Sequence, residues 1–373
     1  LQNTIPAISL GKLRISDGIT GNDQIGTYNS WSPNALNPFQ SITNYTATLG
    51  PGNTWETIRK TEISMDWGFI GNRFLFTASW YLHRAGNQLF PDSFPNIGAN
   101  ASYSNKKVVS QASGYEFSVT ARNFDQPGLR WTTTFNLSLP TDKLVSFPGL
   151  SQSNYASMLV IGKSLEVVKA YRYLGVSRDS GVFQFKDLTG DGKITPADQT
   201  AVGKLAITAE GGLDNIVRIG PWQLECFIQG RKQTGTNYLA ALYANNPPGM
   251  LAPGMNTNTT AAFLDRWQHP GDRATFQKLT TDPSSPAGQA ISLYTASSAV
   301  LTNASFVRLR NVCISYDFSP AWLKKIHLTT LRWFLQGQNL ATFTPYRGVD
   351  PETQNPFAIP PMRTIVAGIH VEY

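Results

Sequence analysis

The connections along this chain come in two sizes that take turns. Short ones lie near residues 70–73, 125–128, 219–221 and 319–328. Long polar ones lie near 21–55, 85–113, 140–205, 235–304 and 343–361. Between them run stretches of alternating side chains. Ile63, Met65, Trp67 and Phe69 share one face, with Glu62, Ser64 and Asp66 on the other. After Gly71-Asn72, Phe74, Phe76, Ala78, Trp80 and Leu82 resume the apolar face. A side-chain period of two belongs to a strand, and the tight turn makes this pair a hairpin.

The same unit recurs. Tyr115, Phe117, Val119 and Ala121 lead through Asp125-Gln126-Pro127-Gly128 to Trp131, Thr133, Phe135, Leu137 and Leu139. Ile219-Gly220-Pro221 joins a strand ending near Arg218 to one carrying Trp222, Leu224, Cys226 and Ile228. Phe306 to Phe318 pairs, through a turn holding Trp322, Leu323, Lys324 and Lys325, with Leu331 to Asn339. Lys12 to Thr20 supplies the first strand and Met362 to Tyr373 the last. In that last strand Ile365, Ala367, Ile369, Val371 and Tyr373 fall on one face. Thr364, Val366, Gly368, His370 and Glu372 fall on the other, and no tail follows Tyr373.

A soluble sandwich does not sort its connections this way. The pattern predicts an all-β fold: a transmembrane antiparallel β-barrel in the outer membrane, with short periplasmic turns and long extracellular loops. Counting back from a descending last strand, with Tyr373 at the periplasmic rim, gives about ten strands, the first one ascending. A strand-like piece, Val167 to Val176, is placed outside the membrane to keep that parity. No run of about 18 apolar residues exists, so no transmembrane helix is expected, and a barrel leaves no such run because its two faces alternate. Charged residues make up 15% of the chain, below the roughly 25% usual for soluble proteins.

Loops this large are out of scale for a barrel of about ten strands. An open half-barrel would also leave two unpaired edges in lipid, where every backbone polar group needs a partner. The chain starts at Leu1 without Met or a signal peptide. We therefore read it as processed, or as a piece of something longer.

The net charge is +7. It reads either as a solvated basic surface or as a basic lumen or loop set favouring anionic ligands. The basic residues form no run and accompany no nucleic-acid motif, so no nucleic-acid partner is expected. Cys226 and Cys313 each sit inside a strand pattern and read as packing residues. The 4 histidines lack ligand spacing, and there is no nucleophile elbow, phosphate loop or zinc motif, so an enzyme is not expected. Asp187 to Asp198 scans as a twelve-residue calcium loop. Its ligands would be Asp187, Thr189, Asp191, the carbonyl of Lys193, Thr195 and Asp198, with Gly192 at the sharp turn. The other reading is a Gly-rich turn with Asx caps and no metal. The loop aromatics Trp31, Tyr45, Tyr155, Tyr243, Trp267, Tyr294 and Tyr346 could stack on sugars or peptide side chains. For any single one, packing of the loops is the preferred reading.

Several spaced blocks resemble the SusC/RagA-type TonB-dependent transporters of Bacteroidota outer membranes. They are KLRISDGITGNDQIG at 12–26, WETIRKTEISMDWGFIGNRF at 55–74, GYEF at 114–117, FKDLTGDGKITPADQTAVG at 185–203 and RWQHPGD at 266–272. The most specific is SFVRLRNVCISYDFSPAWLKKIHLTTLRWFLQGQNLATFTPYRGVDPE at 305–352. Asp17 and Val371 depart from the pattern where it usually has an aromatic. The resemblance implies that residues 1–373 form the C-terminal ten or so strands of a barrel of about 22 strands. The plug domain and N-terminal strands would lie outside this chain. It further implies import of oligosaccharides or peptides, a SusD-like lipoprotein lid, energy from TonB, and contact with membrane lipid. The alternative left open is a non-transporting, surface-exposed glycan-binding protein or adhesin.

Overall fold

The computed structural model describes residues 7–22, 54–92, 102–240 and 260–373. Ten long strands form one antiparallel sheet in which each pairs with the next in sequence. They are β1 (Ile8–Asn22), β2 (Glu56–Phe69), β3 (Phe74–Gly86), β4 (Val109–Gln126) and β5 (Leu129–Ser146). The second half comprises β6 (Ile207–Ile219), β7 (Trp222–Thr236), β8 (Phe306–Asp317), β9 (Thr330–Phe343) and β10 (Thr364–Glu372). A short strand, Leu301–Asn303, pairs beside the end of β7. Within the described residues β1 bonds only to β2 and β10 only to β9, so the sheet is open at both ends.

Two adjacent rows show how the pleat sorts the side chains. Arg14, Ser64, Ser79, Glu116, Ser138, Glu210 and Arg231 stand opposite one another in turn across seven strands. One residue along each strand, the row reads Leu13, Met65, Ala78, Phe117, Leu137, Gly211 and Gly230. A one-residue step changes the face, so these two rows lie on a polar wall and an apolar wall. The apolar wall is uncovered: Leu13, Ile15 and Ile19 are 60%, 68% and 72% exposed. A sheet this wide with such a face suits lipid, not water.

Aromatics gather where the short turns lie. Phe124 stacks on Trp131, Trp222 meets Tyr316 edge-on, and Phe318 lies against Tyr316 and Trp322. This is the arrangement of an interfacial girdle. The first turn takes left-handed backbone at Ile70, Gly71 and Asn72, and the Asn72 N–H donates to Ser9 Oγ at 2.8 Å. Cys226 stands opposite Asn215 and Val312 on the apolar wall. Cys313 stands opposite Glu225 on the polar wall, so both thiols stay free.

The expected strands are all present, and several run longer than the alternation predicted. β5 continues to Ser146 through Pro140, which the sequence reading took as the start of a loop. Pro140 stands opposite Gly114 beyond Ser138, where pairing with β6 stops. A missing N–H is tolerated on such an edge. The turn at 319–328 contains a helical stretch, Pro320–Leu323. Val167–Ala170 and Tyr173–Val176 lie off the main sheet, pairing with Thr200–Lys204 and Phe183–Phe185.

Candidate functional site

The polar wall carries a charged cluster near the long-loop end. Arg308 and Arg310 are two apart on β8 and point to the same side. The Arg308 guanidinium donates to Asp350, to Glu352 at 2.8 Å and to Thr342 at 2.9 Å. Arg310 donates to both Glu352 oxygens at 2.7 Å and to Asn339 at 3.2 Å. Arg231 reaches Glu210 at 2.7 Å and Glu352 at 3.9 Å. A carboxylate held by this many guanidinium groups is positioned as firmly as side chains allow. Asp350 also caps its own loop by accepting from the Glu352 and Thr353 N–H groups.

These bonds draw the segment between β9 and β10 onto the polar wall. Gln233 Nε2 donates to the Pro351 carbonyl at 2.7 Å, Thr236 N–H to Gln354 at 3.1 Å, and the Tyr346 hydroxyl to the Thr236 carbonyl at 3.2 Å. Burial pushes the Tyr346 phenol up. At the short-turn end a second group forms, in which Asp317 accepts from Arg332 at 2.5 Å and pairs with Arg218 at 3.4 Å. The sequence reading missed both clusters. Their signal was a charge at consecutive inward positions of a strand, as in Arg308 and Arg310, and a loop holding Asp350 and Glu352.

Described parts of the connections near 140–205 and 235–304 pack together off the sheet. Helix α1 (Pro286–Thr295) starts at Ser285, whose Oγ accepts from Gly288 N–H at 3.1 Å, with Pro286 in the first turn. Its Ile291 and Tyr294 pack with Phe183, Leu239, Phe263 and Phe276. Burial holds the Tyr173 phenol well above its usual range and pushes the Tyr294 phenol up. Of the loop aromatics singled out from the sequence, Tyr294 stacks on Phe183 with centroids 4.6 Å apart and Tyr155 lies 5.8 Å from Phe147. Trp267 donates to the Arg178 carbonyl at 2.8 Å with Lys278 over its ring, and Tyr346 is buried. The first three pack loops against loops, and Tyr346 ties its loop to the end of β7. Trp31, Tyr45 and Tyr243 lie outside the described residues.

The 187–198 loop is closed by its own hydrogen bonds. Asp198 is fully buried and accepts from the Leu188, Thr189 and Thr195 N–H groups at 2.9, 2.9 and 2.8 Å. It also takes the hydroxyls of Thr189 and Thr195, at 3.1 and 3.3 Å. The donors from Thr195 and Thr189 hold its carboxyl well below the usual carboxylate range. Asp187 accepts from Gly190 and Gly192, and Asp191 from Lys193 N–H. Among the described residues no three Asp, Glu, His or Cys side chains gather to hold a metal. Asp187, Asp191 and Asp198, three of the residues read as calcium ligands, thus accept from the loop's own donors, as they would in an Asx-capped turn.

No family model matches the chain. It is 26% identical to the TonB-dependent receptor P3 of Formosa agariphila, an alignment covering 92% of this chain and 36% of that protein. It is 21% identical to the TonB-dependent receptor SusC of Bacteroides thetaiotaomicron, covering 97% of this chain and 37% of SusC. In fold it matches the RagAB peptide transporter with a TM-score of 0.78 at 19% identity, over 100% of this chain and 42% of that one. The chain therefore spans well under half the length of these relatives. In sequence and in fold it is similar to the SusC/RagA-type TonB-dependent transporters, as the blocks at 12–26, 55–74 and 305–352 had indicated.

Proposed function

We propose that this chain is a wall segment of an outer-membrane active importer for oligosaccharides or peptides. The observation that carries the reading is the ten-strand antiparallel sheet with one continuous apolar wall and one polar wall. Its match to the RagAB transporter over the whole chain adds to it. In this reading the apolar wall faces lipid and the polar wall faces the lumen. Long loops are extracellular, and Tyr373 lies at the periplasmic rim. The open edges at β1 and β10 join further strands of a barrel of about 22. A plug and a TonB-contacting segment come from polypeptide outside residues 1–373, and a SusD-like lipoprotein covers the mouth. Arg308, Arg310 and Glu352 then hold the last extracellular loop against the lumen wall.

Uptake tests it. In cells making the full-length protein, deletion of its gene should abolish uptake of a labelled oligosaccharide or oligopeptide pool. A protonophore should do the same in cells that keep the gene. Surface binding of glycan that is lost on deletion, with uptake unchanged, would replace this reading with that of an adhesin.

A further inference from the structure

The apolar wall ends, toward the long loops, in a row of outward-facing cations. Arg59 stands opposite Arg84, Arg84 opposite Gln111, and Gln111 opposite Lys143, on β2 to β5. The row below it is Thr61, Leu82, Ser113 and Thr141, and the next is Ile63, Trp80, Tyr115 and Leu139. All three rows share the lipid-side parity of Ile15 and Ile63. Arg59 and Arg84 lie ten residues along their strands from the turn-proximal Phe69 and Phe74. A spanning strand takes about 9–11 residues, which puts these cations at the far membrane boundary.

Like charges directly opposite on neighbouring strands repel. Arg59 has a counter-ion, since Asp17 bonds its guanidinium at 3.1 Å and accepts from Thr61 at 2.6 Å. Asp17 is the residue standing where the resembling family usually has an aromatic. Among the described residues the Arg84 guanidinium donates only to the neutral Gln111 Oε1, at 3.1 Å. Lys143 is exposed, and among the described residues no side-chain hydrogen bond or ion pair holds its ammonium. Two cations thus flank an amide and sit over a row of small hydroxyls above exposed Tyr115. An anion carried on an apolar body meets each of these features.

We infer that Arg84, Gln111 and Lys143 form a docking site for the phosphate headgroup of a membrane lipid, whose acyl chains lie down the wall over Tyr115 and Leu139. Guanidinium and ammonium groups supply charge-assisted bonds to phosphate oxygens. Just below them the Ser113 and Thr141 hydroxyls lie 3.0 Å apart, with Thr141 donating to the Ser113 carbonyl. The inference rests on the proposed membrane placement.

The test is lipid retention. The full-length protein is reconstituted in phosphatidylcholine vesicles containing bisphosphorylated lipid A, re-extracted in mild detergent, and its bound lipid counted by native mass spectrometry. Wild type should retain lipid A, and Arg84→Gln/Lys143→Gln should lose at least fivefold. Arg84→Lys/Lys143→Arg should retain it, with heat-modifiable gel mobility the same in all three. Dephosphorylated lipid A should not be retained by any of them, and 10 mM inorganic phosphate should not displace the bound lipid. Equal retention by the Gln variant, or equal retention of dephosphorylated lipid, overturns the site. Failure to enter vesicles of phosphatidylcholine alone instead overturns the membrane reading beneath it.

Discussion

Arg308 on β8 and Asp350 in the loop after β9 are 42 residues apart in sequence, yet they form an ion pair with 1% and 6% of their side chains exposed. A buried pair contributes little beyond a well-packed apolar substitute, but removing one partner strands a charge and costs about 3–5 kcal/mol. Glu352 remains as a second partner for Arg308, which moves the cost of Asp350→Ala toward about 3 kcal/mol. The strands are held by backbone pairing on both sides of β8, so the loss should appear in the loop. Limited proteolysis should cut residues 344–363 faster in Asp350→Ala, with heat-modifiable mobility of the barrel kept. Arg308→Met combined with Asp350→Leu should recover part of the protection. Cleavage equal to wild type in Asp350→Ala would mean the loop is held elsewhere.

The strands were legible because alternation and turn chemistry are local. Ile63 to Phe69 and Phe74 to Leu82 declare their faces within a few residues, and Gly71-Asn72 declares the turn. The Arg308–Asp350 pair was not legible, because nothing near Asp350 says which of 31 basic residues it meets. The length of β5 was hidden for another reason. Pro140 breaks most strands, and only the end of β6 pairing at Ser138 reveals that it is tolerated. The calcium spacing at 187–198 was visible, but spacing cannot show that Asp198 spends its oxygens on the loop's own donors.

That loop gives two readouts. Its Asp198 carboxyl is held below the usual range, so it contributes stability that is complete above the ordinary carboxylate value, about 3.9. The contribution is lost only as pH falls through the depressed folded value. Protection of residues 187–198 from protease should therefore be flat from pH 5 to 8, and Asp198→Ala should lose it across that range. Millimolar calcium added to wild type separates the capped turn from the coordination reading. A gain in protection that is absent in Asp187→Ala/Asp191→Ala assigns the coordination, and no change in wild type leaves the Asx-capped turn.

The open sheet predicts the behaviour of the chain by itself. β1 and β10 each lack a second neighbour among the described residues, and unpaired backbone in hydrocarbon costs several kcal/mol per group. Residues 1–373 refolded in detergent should give oligomers or aggregate, with no heat-modifiable monomer. Addition of the remaining strands and plug as a separate polypeptide should recover one. A conducting monomer from residues 1–373 would show that the edges close on each other.

The last strand tests which wall faces lipid. Ile369 is 66% exposed and stands opposite Trp333 on the apolar wall. Its neighbour His370 stands opposite Arg332 on the polar wall and bonds Glu372 at 3.2 Å. An arginine in hydrocarbon costs about 2–4 kcal/mol at the midplane and less toward the interface. Ile369 is close to the short-turn end, so Ile369→Arg should cost about 2 kcal/mol and reduce assembly into the outer membrane. His370→Arg keeps its charge in the lumen but sets it opposite Arg332. Asp317 already engages that guanidinium, so the added repulsion should stay within about 0.2–1 kcal/mol. Assembly should fall clearly for the first variant and barely for the second, measured as heat-modifiable protein in the membrane fraction. If His370→Arg were the more damaging, the walls would be reversed and the exposed isoleucines of β1 and β10 would line the lumen.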